Sequence, residues 1–334
     1  MAKNALIMTS DRIRRFIELM GSAWGCDYFI CPDSTSFARR KPEPRAPTTH
    51  ISLRDSTLYT SPLFSALSSK NPRKLMNNSW PKPYYDKNRE PHFLFIVTPP
   101  YSGSTCLSRL INTSPKTTLL HPSGEAQRLI PSLCGRGRWK AGMQVDYESL
   151  KAVWLNTYHN LEKLVGGIEV VIEKSPPNMM RMEKICAQFS NYSLLANNRD
   201  PYASCASRLY RDHLASEMSA EQRLEQLEQI AKAWLERSRK IRELTTRLDA
   251  PLLTYEQFCA HPRALAGKLQ LHQDVASTIQ FDASVKVKDY PPQQIVNQNS
   301  RQISQLSNNE IDAITRQRDT DKDLLEFYDY QLLS

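Results

Sequence analysis

The chain has 334 residues, 40% apolar and 24% charged, with 44 Lys/Arg against 35 Asp/Glu and a formal net charge of +9. Such a chain can bury a sizeable core, and its apolar runs fall short of the ~18–20 residues a spanning helix needs, so it reads as soluble with no membrane span. Seven cysteines, at 26, 31, 106, 134, 186, 205 and 259, are odd in number and lack C-x-x-C spacing, which argues against structural zinc and for a reducing, cytoplasmic compartment.

In chain order, residues 1–90 come first, with 15 Lys/Arg against 8 Asp/Glu and eight prolines. The run Ala-Arg-Arg-Lys-Pro-Glu-Pro-Arg-Ala-Pro at 38–47 suits neither a regular helix nor a central strand, because proline lacks an N–H and fixes φ. Ile13, Phe16, Ile17 and Met20 share one face, which predicts a short helix over 11–20. The rest of 1–90 reads as an irregular basic arm, a solvated linker. Its cations are not clustered with aromatics as a nucleic-acid footprint requires, so no nucleic acid is expected. The opening residues, with an apolar piece too short for a secretory h-region, are read as carrying no export signal.

From 91 onward strands and helices alternate, which predicts an α/β domain with a central parallel sheet over 91–334. Phe93 to Val97 is a short apolar run closed by Pro99-Pro100 and reads as a buried parallel strand. Ser102-Gly103-Ser104-Thr105-Cys106 then lead into Leu107, Leu110 and Ile111 at helical spacing. The small-residue turn therefore stands at a helix N-terminus, where free amides and the dipole favour an anion. It lacks the second glycine and the lysine of the G-x-x-x-x-G-K-[ST] loop, and a plain strand–turn–helix with a serine cap is the alternative reading.

Further strands are expected near 117–121, 168–173, 193–198 and 251–255, and helices near 103–113, 125–133, 147–164, 177–188, 201–213 and 219–248, with a last one near 307–330. In the long 219–248 helix, Trp234 lies on the apolar stripe and reads as a core anchor. The carboxyl ends of parallel strands open on one side, where ligands collect. One strand ends in Glu173-Lys174-Ser175-Pro176-Pro177, which puts Lys174 at that edge. Another ends in Arg199-Asp200-Pro201, with Ser204, Ser207 and Arg208 on the next helix. Arg199 and Ser207 are spaced for a guanidinium and a hydroxyl to grip one anion. His121-Pro-Ser-Gly-Glu125 adds a titratable pair. Each of these features also has a purely structural reading as a cap, a salt bridge or a satisfied surface histidine.

In this order the stretches resemble the sulfotransferases that use 3′-phosphoadenosine-5′-phosphosulfate (PAPS), over roughly residues 92–260. The resemblance implies a single three-layer, P-loop-like domain in which Tyr101, Ser102, Gly103, Ser104, Thr105 and Cys106 cradle the 5′-phosphosulfate. It implies that Arg199 and Ser207 hold the 3′-phosphate. Gly124-Glu125 looks like the segment carrying the base in tyrosylprotein and related enzymes, and Glu173-Lys174-Ser175-Pro176 looks like their acidic-Lys-Ser/Thr-Pro strand end. Leu253-Thr-Tyr-Glu-Gln-Phe-Cys-Ala-His-Pro262 resembles the family's strand and helix after the long helix.

Two departures stand out. Tyr101 replaces the usual Lys or Arg before Ser-Gly, and the base position slips by one residue to Glu125, with His121 in reserve. The implied reaction is metal-independent transfer of sulfuryl from PAPS to a hydroxyl of a glycan, peptide or small alcohol, leaving PAP. Glu125 would take the proton and Lys174 would steady the leaving phosphate. A catalytically weak PAP-binding relative, or a nucleotide-dependent kinase of related fold, are the alternatives. The acceptor and the oligomeric state are not specified by these motifs.

Overall fold

The computed structural model describes residues 90–212, 215–287, 291–318 and 321–333, together with three short strands nearer the start. The chain divides into two units, Met1–Glu90 with Ala152–Ile168, and Pro91–Lys151 with Glu169–Ser334.

In the first unit, β1 (Tyr28–Ile30), β2 (Ser36–Arg39) and β3 (Thr49–Ser52) form an antiparallel sheet with β2 in the middle. Phe37 faces Ile30 on one side and Ile51 on the other. The sequence reading placed no strand here. β2 stops at Arg39, ahead of the prolines from 42 onward, so no ladder donor is lost. The helix expected over 11–20 and the proline-rich runs lie outside the described residues. Within Ala152–Ile168, the Glu162 carboxylate accepts the N–H groups of Gly167 and Ile168 at 2.9 and 2.7 Å, tying down the left-handed exit through Gly166 and Gly167.

The second unit holds a parallel sheet in the order β5-β6-β4-β7, from β4 (His92–Val97), β5 (Thr117–Leu119), β6 (Val170–Glu173) and β7 (Tyr192–Ala196). Central β4 is apolar on both faces, as a doubly covered parallel strand must be. Leu94 and Ile96 meet Leu107, Leu110 and Ile111 of helix α1 (Ser104–Ile111) together with Phe258. On the other face the Phe93 and Phe95 rings lie 4.2 and 5.6 Å from that of Phe189. Each fully buried side chain of this kind contributes about 1.5–3 kcal/mol. The sheet is thus covered on both faces, as in the three-layer architecture that the resemblance implied.

Helix α2 (Tyr147–Val165) and α3 (Pro201–Asp212) match their expected spans closely. So does α4 (Ala220–Arg247), which opens with a Ser219–Gln222 capping box. The expected helix at 125–133 is instead two 3-10 turns, Ala126–Leu129 and Pro131–Leu133, because Pro131 cannot continue a helix. The expected strand at 251–255 shrinks to one parallel bridge between Leu252 and Ala196. Thr254 there caps α5 (Tyr255–Ala260) with Gln257 as its reciprocal partner. The C-terminal helix is two: α7 (Asn308–Arg318) and α8 (Lys322–Tyr328), the second capped by Asp321. Ahead of them lies the short α6 (Asn299–Ile303). Tyr202, Leu209, Leu227, Ile230 and Ile314 of α3, α4 and α7 build a second core. Among the described residues, no helix is long and apolar enough to cross a membrane.

Candidate active site

The carboxyl ends of β4, β6 and β7 open on a cleft of about 640 Å³, lined by residues that follow each strand. From β4 the chain passes through Tyr101, whose φ of 68° is unusual for a side-chain-bearing residue, and Gly103 at φ 75°. A Cβ on Gly103 would come within 2.3 Å of the Tyr255 ring, so only glycine fits between the turn and that aromatic. Ser104, Thr105 and Cys106 line the cleft at the first turn of α1, where main-chain amides have no intrahelical partner. Ser102 is fully buried beneath them, and its Oγ has no hydrogen-bond partner in the structure.

Lys174 follows β6 and is 3% exposed. Its Nζ donates to Thr105 Oγ1 at 3.2 Å and lies 3.7 Å from Glu125 Oε1. The Lys174 N–H donates to Gly124 O at 2.8 Å, docking the 121–125 segment beside β6. Gly124, at φ 76°, lets the lysine stem pass close by; an added Cβ there would already touch Lys174 Cε at 3.4 Å. The second carboxylate oxygen of Glu125 accepts from Arg128 Nε at 2.9 Å, so this carboxylate stands between two cations. His121 is different. It does not line the cleft, its Nδ1 accepts the Ser123 N–H at 3.1 Å, and burial, then the charge of Arg128, pushes its pKa down to about 4.

Arg199 follows β7 and is 4% exposed. Its guanidinium lies 4.1 Å from the centre of the Tyr255 ring. Nε donates to Asn299 Oδ1 at 2.9 Å and Nη1 to Tyr101 O at 3.3 Å, while Nη2 is buried with no protein partner. Glu256 accepts from Asn299 Nδ2 at 2.6 Å and from the Asp200 N–H at 2.9 Å, so it holds the clamp from behind. Trp234 Nε1 donates to Arg199 O at 3.1 Å, which makes the expected core anchor a support of the site as well. Ser207 lines the cleft two turns along α3.

Burial, and then the neighbouring Asp212 carboxylate, raise the pKa of the Tyr101 hydroxyl, so it stays a neutral phenol. The Cys106 thiol lines the cleft, but burial pushes it up to about 12, so it packs as a neutral group. The arrangement offers an anion site at each end, α1 with Lys174 and the Arg199 clamp, and a carboxylate beside the first. Residues 91–278 match the model of the Sulfotransferase family. The chain belongs to that family.

No curated protein matches this sulfotransferase closely enough to count as a relative. Solved structures similar to it include sulfotransferase STF9 from Mycobacterium avium, at 13% identity and TM-score 0.46 over 72% of this chain and 78% of that one. A sulfotransferase from Alicyclobacillus acidocaldarius is similar at 16% identity and TM-score 0.44, over 73% and 97% of the two chains. The sulfotransferase domain of the Synechococcus PCC 7002 olefin synthase is similar at 19% identity and TM-score 0.44, over 76% and 99%.

The structure of this sulfotransferase brings Tyr101, Gly103, Ser104, Thr105, Cys106, Glu125, Lys174, Arg199 and Ser207 to one cleft and leaves His121 outside its lining. Asn299 was missed by sequence reasoning. It lies 100 residues from the arginine it holds, in a segment without apolar periodicity. Tyr255 and Glu256 carried a family resemblance in sequence but no role.

Proposed function

We propose that this sulfotransferase moves a sulfuryl group from PAPS to an acceptor hydroxyl and releases PAP. The observation that carries the reading is Arg199: a guanidinium held by Asn299, Tyr101 O and the Tyr255 ring, with Nη2 buried and unpartnered beside the cleft. A buried charged donor left without a partner costs several kcal/mol unless a ligand supplies one, and a phosphate oxygen is the complementary acceptor. Ser207 adds a hydroxyl on the same wall. At the other end, the α1 N-terminus and Lys174 suit the phosphosulfate.

The acceptor oxygen would attack sulfur in line as the bond from sulfur to the bridging phosphate oxygen breaks. Glu125 takes the hydroxyl proton, and the bond's electron pair leaves on the phosphate, where Lys174 and the α1 amides meet it. Lys174 touches both Thr105 and Glu125, so one cation links the loop to the base. His121 has a pKa near 4 and is a far weaker base than an ordinary imidazole.

Calorimetry with PAP tests the reading. The Arg199→Ala variant should lose roughly 2–5 kcal/mol of PAP affinity, the scale for removing one partner of a buried charge pair. Unchanged affinity in a folded variant rules the clamp out. A second reading, a PAP binder with weak catalysis, is favoured by Tyr101, a neutral phenol where the family carries a cation. Radiolabelled sulfuryl transfer from PAPS to a panel of hydroxyl compounds separates the two.

A further inference from the structure

The cleft is more cationic than two anion clamps require. Among the described residues, its lining holds eight arginine or lysine side chains against two carboxylates. Glu125 is engaged by Arg128 and Lys174, and Asp212 stands near the Tyr101 hydroxyl. The surplus gathers on one wall. Trp139 ends the 3-10 turn Arg136–Trp139, downstream of Glu125, and the Arg237 guanidinium of α4 stacks on its ring at 4.2 Å. Arg208, one residue past Ser207 on α3, is close enough that its charge, after burial, helps lower Arg237 to about 10. Neither Arg208 nor Arg237 has a hydrogen bond or ion pair among the described residues.

The wall is built. Arg181 is 4% exposed, and its Nη2 donates at 2.5 Å to the carbonyl of Arg138, which lies in the same turn as Trp139. Its Nη1 holds Pro177 O at 3.0 Å, so the turn that presents Trp139 and Arg138 is bolted to the segment after Lys174. Glu236 is the one acid whose charge favours Arg237, against burial and the charge of Arg208, and two neighbouring arginines so placed are unfavourable until an anion enters between them.

We propose that the Arg208–Arg237–Trp139 wall binds the acceptor, and that the acceptor is a hydroxyl compound already carrying a fixed carboxylate, sulfate or phosphate. The inference rests on the sulfuryl-transfer reading, since the donor's two anionic ends are assigned there to Lys174 with α1 and to Arg199. The acceptor's anion would sit against Arg208 and Arg237, with its apolar part over Trp139 and its hydroxyl toward Glu125.

The test is ligand-detected NMR on full-length, PAP-saturated protein with one scaffold in a neutral and three anionic forms: glucose, glucuronate, glucose 6-sulfate and glucose 6-phosphate. 4-Methylphenol and 4-hydroxyphenylacetate provide a second scaffold. At least one charged member should bind about tenfold or more tightly than its neutral parent, with a preference that falls as salt rises. The preferred member distinguishes the three anions. Arg237→Ala and Arg208→Gln should each cut the preference to about twofold while PAP affinity holds. Equal binding of charged and neutral members, or no binding of either, overturns the proposal. So does a tenfold loss of PAP affinity in both variants, which would give the arginines to the donor. Failure of the wild-type protein to bind PAP, with the charged preference intact, overturns only the sulfuryl-transfer reading.

Discussion

Glu125 and Lys174 face each other across 3.7 Å but should fail in different ways when altered. Glu125→Gln keeps the shape and loses the proton acceptor, so sulfuryl transfer should fall ~10²-fold or more with PAPS affinity nearly constant. Lys174→Ala removes a charge that meets phosphate in both ground and transition states, so turnover and donor affinity should fall together. Initial rates paired with PAP calorimetry read both parameters. Full activity in Glu125→Gln would return the role of base to another group. His121 would enter at a disadvantage, because its Nδ1 is taken by Ser123. Both residue types were legible as strand-edge polar groups. Their contact was not, because it depends on Gly124 bringing a loop against β6.

At the scale of elements, the end of β6 carries a buried acid that the sequence presented only as part of a motif. Glu173 is fully buried, accepts from Ser175 Oγ and from Asn178 Nδ2, and burial raises its pKa from 4.5 to about 7. Ser175 Oγ also accepts the Gln127 N–H at 3.3 Å, so the acid indirectly anchors the 3-10 turn after Glu125. A raised carboxyl pKa means the folded state binds a proton more tightly than the unfolded chain. Its stability contribution is therefore complete below about 4.5 and is lost as pH rises through about 7. Glu173→Gln, which cannot ionise, should gain on wild type by a few kcal/mol between pH 5 and pH 8. Denaturant melts of both proteins at several pH values check this. A constant difference across that window would remove the ionisation from the account. The expected 125–133 helix is a pair of 3-10 turns for a related reason: Pro131 and these tertiary bonds outweigh helical spacing.

At the scale of the whole molecule, every residue lining the cleft belongs to Pro91–Lys151 or Glu169–Ser334. We propose that 91–334 is the sulfotransferase domain and that 1–90 is an addition to it. A fragment of residues 91–334 should bind PAP within about twofold of the full chain, since substitutions remote from a site combine nearly independently. It should melt at a lower temperature, because Ala152–Ile168 groups with Met1–Glu90 and would lose that unit. Calorimetry and thermal melts on the two proteins decide. A folded fragment that no longer binds PAP would assign part of the donor site to the first 90 residues.

What the sequence determined by itself were the features written in local pattern. The five-residue apolar run of β4, the small-residue turn, the strand-end Lys174 and Arg199, and the stripe of α4 are all readable because burial period and turn chemistry are local. With them came the sheet, its open edge and the family. Tertiary structure alone decided which side chains meet there. Asn299 reaches Arg199 from 100 residues away, Arg237 stacks on Trp139 across the intervening chain, and the Tyr255 ring packs on Arg199. Such pairings carry no periodic trace, because a polar contact between distant segments is specified by how their supports pack rather than by spacing along the chain.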